Sequence, residues 1–320
     1  FFVLEGFDYG VGILTPFLGR TDEQRRLIIN TIGPFWDANE VWLITAAGAM
    51  FAAFPNWYAT LFSGFYIIFF LLLLALIVRA VAFEFRSKIS NPGWRTTWDW
   101  LLFAGSALPP FLWGVVIADF MSGVPIDANM NYVGTFWSLI TPFSIMGGFS
   151  LLLLSTLHGA QYLTLRTEDE MQENAREAAR RIGVLTSLVM VVFALLSFYN
   201  TNLFSKIGID PGALPVLAAM TLLSVPFFIY AKRDGWAFLM ITLTIVFSSA
   251  TVFFYMFPRV MISSLNPHWS LTIFNAASGP YSLRVMTIIT ITVLPFVLAY
   301  QAWTYWVFRH RLRPGGHLDY

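Results

Sequence analysis

Four carboxylates stand where a lipid-facing helix would have none. LEGFDYGVG carries Glu5 and Asp8, and PFWDANEVWL carries Asp37 and Glu40. Each pair is spaced by three, which puts both members on one helix face. An ionisable group in hydrocarbon costs at least about 2.5–3.5 kcal/mol, so each faces an interior, a partner or a task. Carboxylates held out of water among like charges exchange protons near neutral pH. The chemistry offered is therefore a proton path through Glu5, Asp8, Asp37 and Glu40. A structural alternative stands beside it. Asp37 follows Pro34 and would cap a helix N-terminus, with Glu40 completing a capping-box-like arrangement. For Glu5 and Asp8 the alternative is a buried polar network.

His158 is the one histidine well inside an apolar run. It reads either as a haem ligand or as a hydrogen-bonded core histidine, and no second histidine in an apolar run offers a bis-His site. His268, His310 and His317 fall in a loop and the tail. The chain has no cysteine, which excludes disulfides, thiolate zinc sites, iron–sulfur clusters and thiol catalysis. Four histidines without cysteine are a poor set for several metals or haems, so no metal is expected here. Arg79 and Glu84 read as interfacial snorkelling or an ion pair. Asp99, between Trp98 and Trp100, reads as part of an interfacial belt, and Asp119 as a solvated group at the outer end of its helix. Gly6-xxx-Gly10 is a small-residue face for close helix packing.

The elements that must position these residues are membrane helices. Of 320 residues, 57% are hydrophobic and 12% charged, and mean hydropathy is +0.67. A soluble domain is about 25% charged, and disorder needs the opposite bias. The net charge of +1, without a basic block on an aqueous domain, argues against nucleic acid. The opening FFVLEGFDYG reads as a helix whose beginning is missing, not a cleavable signal. At about 20 apolar residues per crossing, nine spans are expected: 1–18, 35–54, 58–78, 100–120, 135–160, 183–203, 213–231, 235–257 and 283–307. With residue 1 outside, sixteen of the 19 cations fall on the inner side. Only Lys206, Arg259 and Arg284 fall outside, as the positive-inside rule requires. The C-terminus is then cytoplasmic and the N-terminus outside. TEDEMQENAREAARR, 167–181, reads as a cytoplasmic extension of the fifth helix or a surface helix.

From 5 to 88 the chain resembles subunit II of cytochrome bd-type quinol oxidases. The pieces that carry the resemblance are EGFDYGVG, FLGRTDEQRR, INTIGPFWDANEVWL, FAAFP and YATLFSGFY, in that order. WRTTWDW, GVPI and HGAQYLTLRT further along are compatible with it. The resemblance implies an all-α, polytopic fold of nine transmembrane helices, as two four-helix bundles plus one helix. Within 1–320 as one transmembrane domain, 1–120 would be the first four-helix unit, 135–160 a connecting or peripheral helix, and 183–307 the second unit. It implies a subunit of a bacterial plasma-membrane terminal oxidase that oxidises quinol and reduces dioxygen to water. A haem-bearing subunit I holds haem b and haem d. A small single-helix subunit and a structural quinone accompany some members. Asp8 and Asp37 match family positions on the cytoplasmic proton route. Glu5 stands where the family often has Asp, and Ala38 and Ala47 where it commonly has Gly. Two rivals are a carboxylate-lined secondary transporter, which would need an inverted repeat, and a purely structural subunit.

Overall fold

The computed structural model describes residues 1–201 and 212–313. Lys206, His317 and the last residues of the expected span 183–203 lie outside the described residues. Among the described residues, eleven α-helices make up nearly all of the fold. They are α1 (Phe2–Leu18), α2 (Asp22–Ile32), α3 (Trp36–Ala53), α4 (Pro55–Gly64), α5 (Tyr66–Phe85) and α6 (Pro92–Ser122). There follow α7 (Pro142–Arg166), α8 (Asp169–Asn200), α9 (Ala213–Tyr230), α10 (Asp234–Met256) and α11 (Pro280–Val307).

The boundaries have local causes. Thr21 and Gln24 form a reciprocal capping box that starts α2, satisfying N–H groups the helix itself cannot. Asn91 caps α6, with Pro92 in its first turn, where a missing N–H costs nothing. Thr141, Pro142 and Ser144 do both for α7.

Seven of these helices, α5 to α11, are long and apolar enough to cross a membrane, and the chain is a multi-pass membrane protein. The two other expected spans are α1, of 17 residues, and α3, whose first turns carry Asp37 and Glu40. The expected span 58–78 is two helices, α4 and α5, and the second runs on to Phe85. The segment 167–181 belongs to neither expected place. It is the start of α8, separated from α7 at Thr167 and Glu168.

α1 is central, with Glu5 through Thr15 all buried. It packs on α6 and α7, and α7 in turn packs on α8 and α10. Close approach is set by missing side chains. A Cβ on Gly10 would meet the Ser155 carbonyl oxygen at 2.1 Å, and one on Gly114 would meet that of Gly147 at 2.2 Å. These glycines let α1 and α6 touch α7 backbone to backbone. In contrast, α11 has no buried residue and α3 has only Asn39.

At the end remote from the arginine-rich segments, a short antiparallel pair closes the fold, β1 (Arg259–Met261) with β2 (Leu271–Thr272). The 123–133 loop joins it, Val124 N–H donating to Ile262 O at 2.9 Å. At the opposite end, Asp99 is buried between Arg86 (Nε to Oδ1, 2.5 Å) and Arg25 (Nη1 to Oδ2, 2.7 Å). Asp22 ties Arg86 to Arg95. Asp99 is thus the centre of an ion network rather than a belt residue. Arg176 holds Asp234 through two hydrogen bonds, at 3.1 and 2.7 Å, which fixes the polar start of α8 to α10. The chain after α11 returns to α7, Leu312 N–H donating to Arg166 O and Arg166 to His310 O.

Candidate functional site

Arg79 joins two of the four carboxylates, Glu5 and Glu40, and Asp8 lies beside them one turn along α1. α5 continues past the expected span end at 78, so Arg79 lies within the helix and is wholly buried. It is therefore not a snorkelling side chain. Its Nη1 donates to Glu5 Oε1 and, at 3.1 Å, to Glu40 Oε2. Glu5 is wholly buried, and the Glu40 side chain is 19% exposed. The guanidinium also lies over the Tyr9 ring, 4.9 Å from its centroid, a favourable contact for a desolvated cation.

Asp8 is wholly buried one turn along α1. Its Oδ2 accepts from Asn39 Nδ2 at 2.6 Å. Asn39 Oδ1 in turn accepts from Gln301 Nε2 at 2.9 Å and from Tyr305 OH at 2.8 Å. Trp42 Nε1 donates to Gln301 Oε1 at 2.8 Å. A continuous polar path thus runs between α1, α3 and α11. It reaches a groove of about 430 Å³ between α3 and α11, lined by Asn39, Trp42, Gln301 and Tyr305.

The cluster is under-satisfied among the described residues. Glu5 Oε2, Asp8 Oδ1, Tyr9 OH and two guanidinium nitrogens of Arg79 are buried without a hydrogen-bond partner. Such groups are costly and mark places where something else binds or moves. With three carboxylates and one guanidinium, the formal charge runs from −2 to +1 as protons are added.

Asp37 is exposed at the start of α3 and is not in the cluster. The residue before α3 is Phe35, without a side-chain cap, so the capping readings of Asp37 and Glu40 fail. The spacing of three holds, but only Glu40 reaches inward. Glu84 is exposed. Asp119 is 2% exposed, with Oδ2 unpartnered, so it is not the solvated group expected.

His158 is wholly buried. Its Nε2 is 3.2 Å from Thr242 Oγ1 and its ring stacks on Phe238 at 4.7 Å. Nδ1 faces Gly6, where even a Cβ would come within 3.5 Å. Nε2 is engaged by Thr242, while Nδ1 is buried without a hydrogen-bond partner among the described residues.

Sequence reasoning missed Arg79 as the hub, and Asn39, Gln301 and Tyr305 as the path. One signal was available for Arg79: a lone cation in LLLLALIVRAVAF, with apolar residues on both sides.

The family model for cytochrome bd terminal oxidase subunit II matches residues 1–308. The chain is 48% identical over 312 residues to cytochrome bd ubiquinol oxidase subunit 2 of Bacillus subtilis, covering 98% of this chain and 92% of that one. It is 37% identical over 349 residues to cytochrome bd-I ubiquinol oxidase subunit 2 of Escherichia coli, covering 96% and 89%. Its fold matches a chain of the bd oxidase structure from Geobacillus thermodenitrificans with a TM-score of 0.72 at 17% identity, over 95% of this chain and 93% of that one.

Proposed function

The chain belongs to the cytochrome bd terminal oxidase subunit II family, and from that premise we propose that it is the scaffolding subunit of a quinol-oxidising, dioxygen-reducing complex and relays protons within it. The named relatives are subunits of ubiquinol oxidases. On this reading a partner subunit carries haems b and d, while this chain supplies no haem ligand. The partner sits on α3 and α11, which bury only Asn39 between them, and this supports the placement. All nine expected spans cross the bilayer, α1 and α3 included. The arginine-rich end faces the cytoplasm, with residue 1 outside. The connecting helix, 135–160, joins a first four-helix unit (1–120) to a second (183–307), and α7 touching both α1 and α10 supports this.

The observation that carries the proton role is the buried path itself. Exposed Asp37 stands one turn before Glu40 and collects protons at the surface. Glu40 is the only part-exposed member of the Arg79 cluster. Glu5 and Asp8 follow on α1, and Asn39 links Asp8 to the α3–α11 groove where the partner would lie. Each buried carboxylate lacks a full counter-charge, so a proton arriving lowers the cost of burial and a proton leaving restores it. Arg79 cannot lose its proton and holds Glu5 and Glu40 at fixed reach. Asn39 positions Asp8 rather than carrying the proton.

The test is Asp8→Asn and Asp37→Asn in the assembled complex. Oxygen consumption is measured with quinol, and haem content comes from the reduced-minus-oxidised spectrum. Asp8→Asn is expected to lower turnover at least about tenfold, a barrier of about 1.4 kcal/mol, with the spectrum unchanged. Asp37→Asn is expected to lower it less, because neighbouring solvent can stand in for an exposed group. Wild-type turnover in both assembled variants would leave the chain a pure scaffold.

A further inference from the structure

A groove of about 460 Å³ lies between the end of α1 and the start of α8, and no residue of the carboxylate cluster lines it. Its floor is apolar: Leu14, Phe17 and Leu18 from α1, and Ala178 and Ile182 from α8. Its rim is charged, with Arg20 just past α1 and Arg181 on α8. Arg20 is exposed, and no carboxylate among the described residues pairs with it. The Arg181 side chain is 79% exposed and spends only Nε on Glu177, at 2.9 Å. Glu177 also lines the groove and is shared with Arg180, at 3.3 Å. Asn174 adds a neutral polar group. Two rim guanidiniums and Arg180 thus face one carboxylate, and the rim keeps a positive excess.

The position matters as much as the charge. α8 changes character at this level. Before Arg181 it reads DEMQENAREAAR, and after it IGVLTSLVMVV. Val184, Leu185 and Leu188 just beyond are exposed apolar side chains, so this face of α8 looks into hydrocarbon. The groove therefore straddles the boundary between acyl chains and headgroups. None of its lining residues comes from α3 or α11, so the face proposed for the partner leaves it open to the bilayer.

We propose that this groove is a binding site for an anionic glycerophospholipid. One acyl chain lies along Leu14, Phe17 and Ile182, and the phosphate sits between Arg20 and Arg181. Basic pockets between helices at a membrane surface select acidic headgroups in this way, and guanidinium matches phosphate geometry. Ala178 leaves the room for the chain. The proposal does not depend on the redox reading.

The test uses the purified complex in nanodiscs of phosphatidylcholine doped with a phosphatidylglycerol bearing a photoactivatable acyl chain. Cross-linked peptides are mapped by mass spectrometry. Cross-links are expected within 13–20 and 174–182, displaced by excess phosphatidylglycerol but not by phosphatidylcholine or by inorganic phosphate. Arg20→Gln with Arg181→Gln is expected to lower their yield at least fivefold, and Ala178→Phe to lower it with the charges intact. Arg20→Lys with Arg181→Lys is expected to keep most of it. Cross-links spread evenly over all spans, equal displacement by phosphatidylcholine, or an unchanged yield in the glutamine variant would each overturn the site. The readout needs no turnover, so it stands apart from the oxidase tests.

Discussion

Removing the guanidinium at the hub should be costly, and removing a carboxylate with it should recover much of the cost. Arg79→Met keeps the length of the stem and takes away the cation that serves both Glu5 and Glu40. Glu5 is then buried, charged and alone, a situation that costs about 3–5 kcal/mol. Glu40 contributes less, because its side chain is 19% exposed rather than wholly buried. Glu5→Gln alone leaves Arg79 paired with Glu40 and should cost about 1–3 kcal/mol, the price of an unmet buried hydrogen-bonding group. If the two sites were independent, the double variant would lose the sum. The geometry instead expects the double variant to be no worse than Arg79→Met, a coupling of at least about 1–3 kcal/mol, the cost of Glu5→Gln itself, within the range found for directly contacting residues. The measurement is a double-mutant cycle on the purified complex, unfolded by sodium dodecyl sulfate in mixed micelles and followed by tryptophan fluorescence. A coupling below about 0.5 kcal/mol, the limit for non-interacting sites, would refute the assignment of Arg79 as the hub.

Two further perturbations test the scaffold around it. Gly10→Ala places a methyl 2.1 Å from the Ser155 carbonyl oxygen and 2.7 Å from the Gly159 nitrogen. α1 and α7 must part, at about 1–3 kcal/mol or more, and the yield of assembled complex on size exclusion should fall. A similar change at Gly235 on α10, which has nothing within 4 Å and lies off the face proposed for the partner, should leave that yield unchanged. Asp99→Asn strips the shared partner from buried Arg86 and from Arg25. It should destabilise by about 3–5 kcal/mol in the same unfolding assay, while Glu84→Ala at an exposed position should stay within about 0.5 kcal/mol.

The pairing of Glu5 with Asp8 was legible because a spacing of three is a local property. Seven of the nine expected spans were legible because hydropathy accumulates over about 20 residues. Arg79 was misplaced for a boundary reason. The apolar run was closed at 78, and a cation next to a boundary reads as snorkelling, whereas α5 continues to Phe85. Asp99 was misread for the same reason, being flanked by tryptophans at a helix start. Asn39, Gln301 and Tyr305 were invisible for another. Their bonds join positions 262 and 266 apart in sequence, and no periodicity within one helix reports such a contact. Asp37 and Glu40 illustrate the limit of spacing itself. A shared face is wide enough for one residue to reach Arg79 while the other stays in solvent.

The placement of α11 joins the scaffold to the path. This helix buries no residue and touches mainly α3, so side-chain packing within the chain does little to fix it. Beside the stacking of Tyr305 on Phe35, with ring centroids 4.3 Å apart, polar bonds hold it: Gln301 and Tyr305 to Asn39, and Trp42 to Gln301. In a membrane, where lipid solvates apolar faces as well as another helix does, such hydrogen bonds are a principal means of holding helices in register. The acceptor they converge on, Asn39 Oδ1, belongs to the same amide whose nitrogen holds Asp8. Any displacement of α11, as when a partner settles on its bare face, therefore rotates or releases that amide and changes the hydrogen bonding of Asp8. A carboxylate whose proton is to move only within an assembled complex would be wired in this way: to a helix whose position the isolated chain leaves to few contacts.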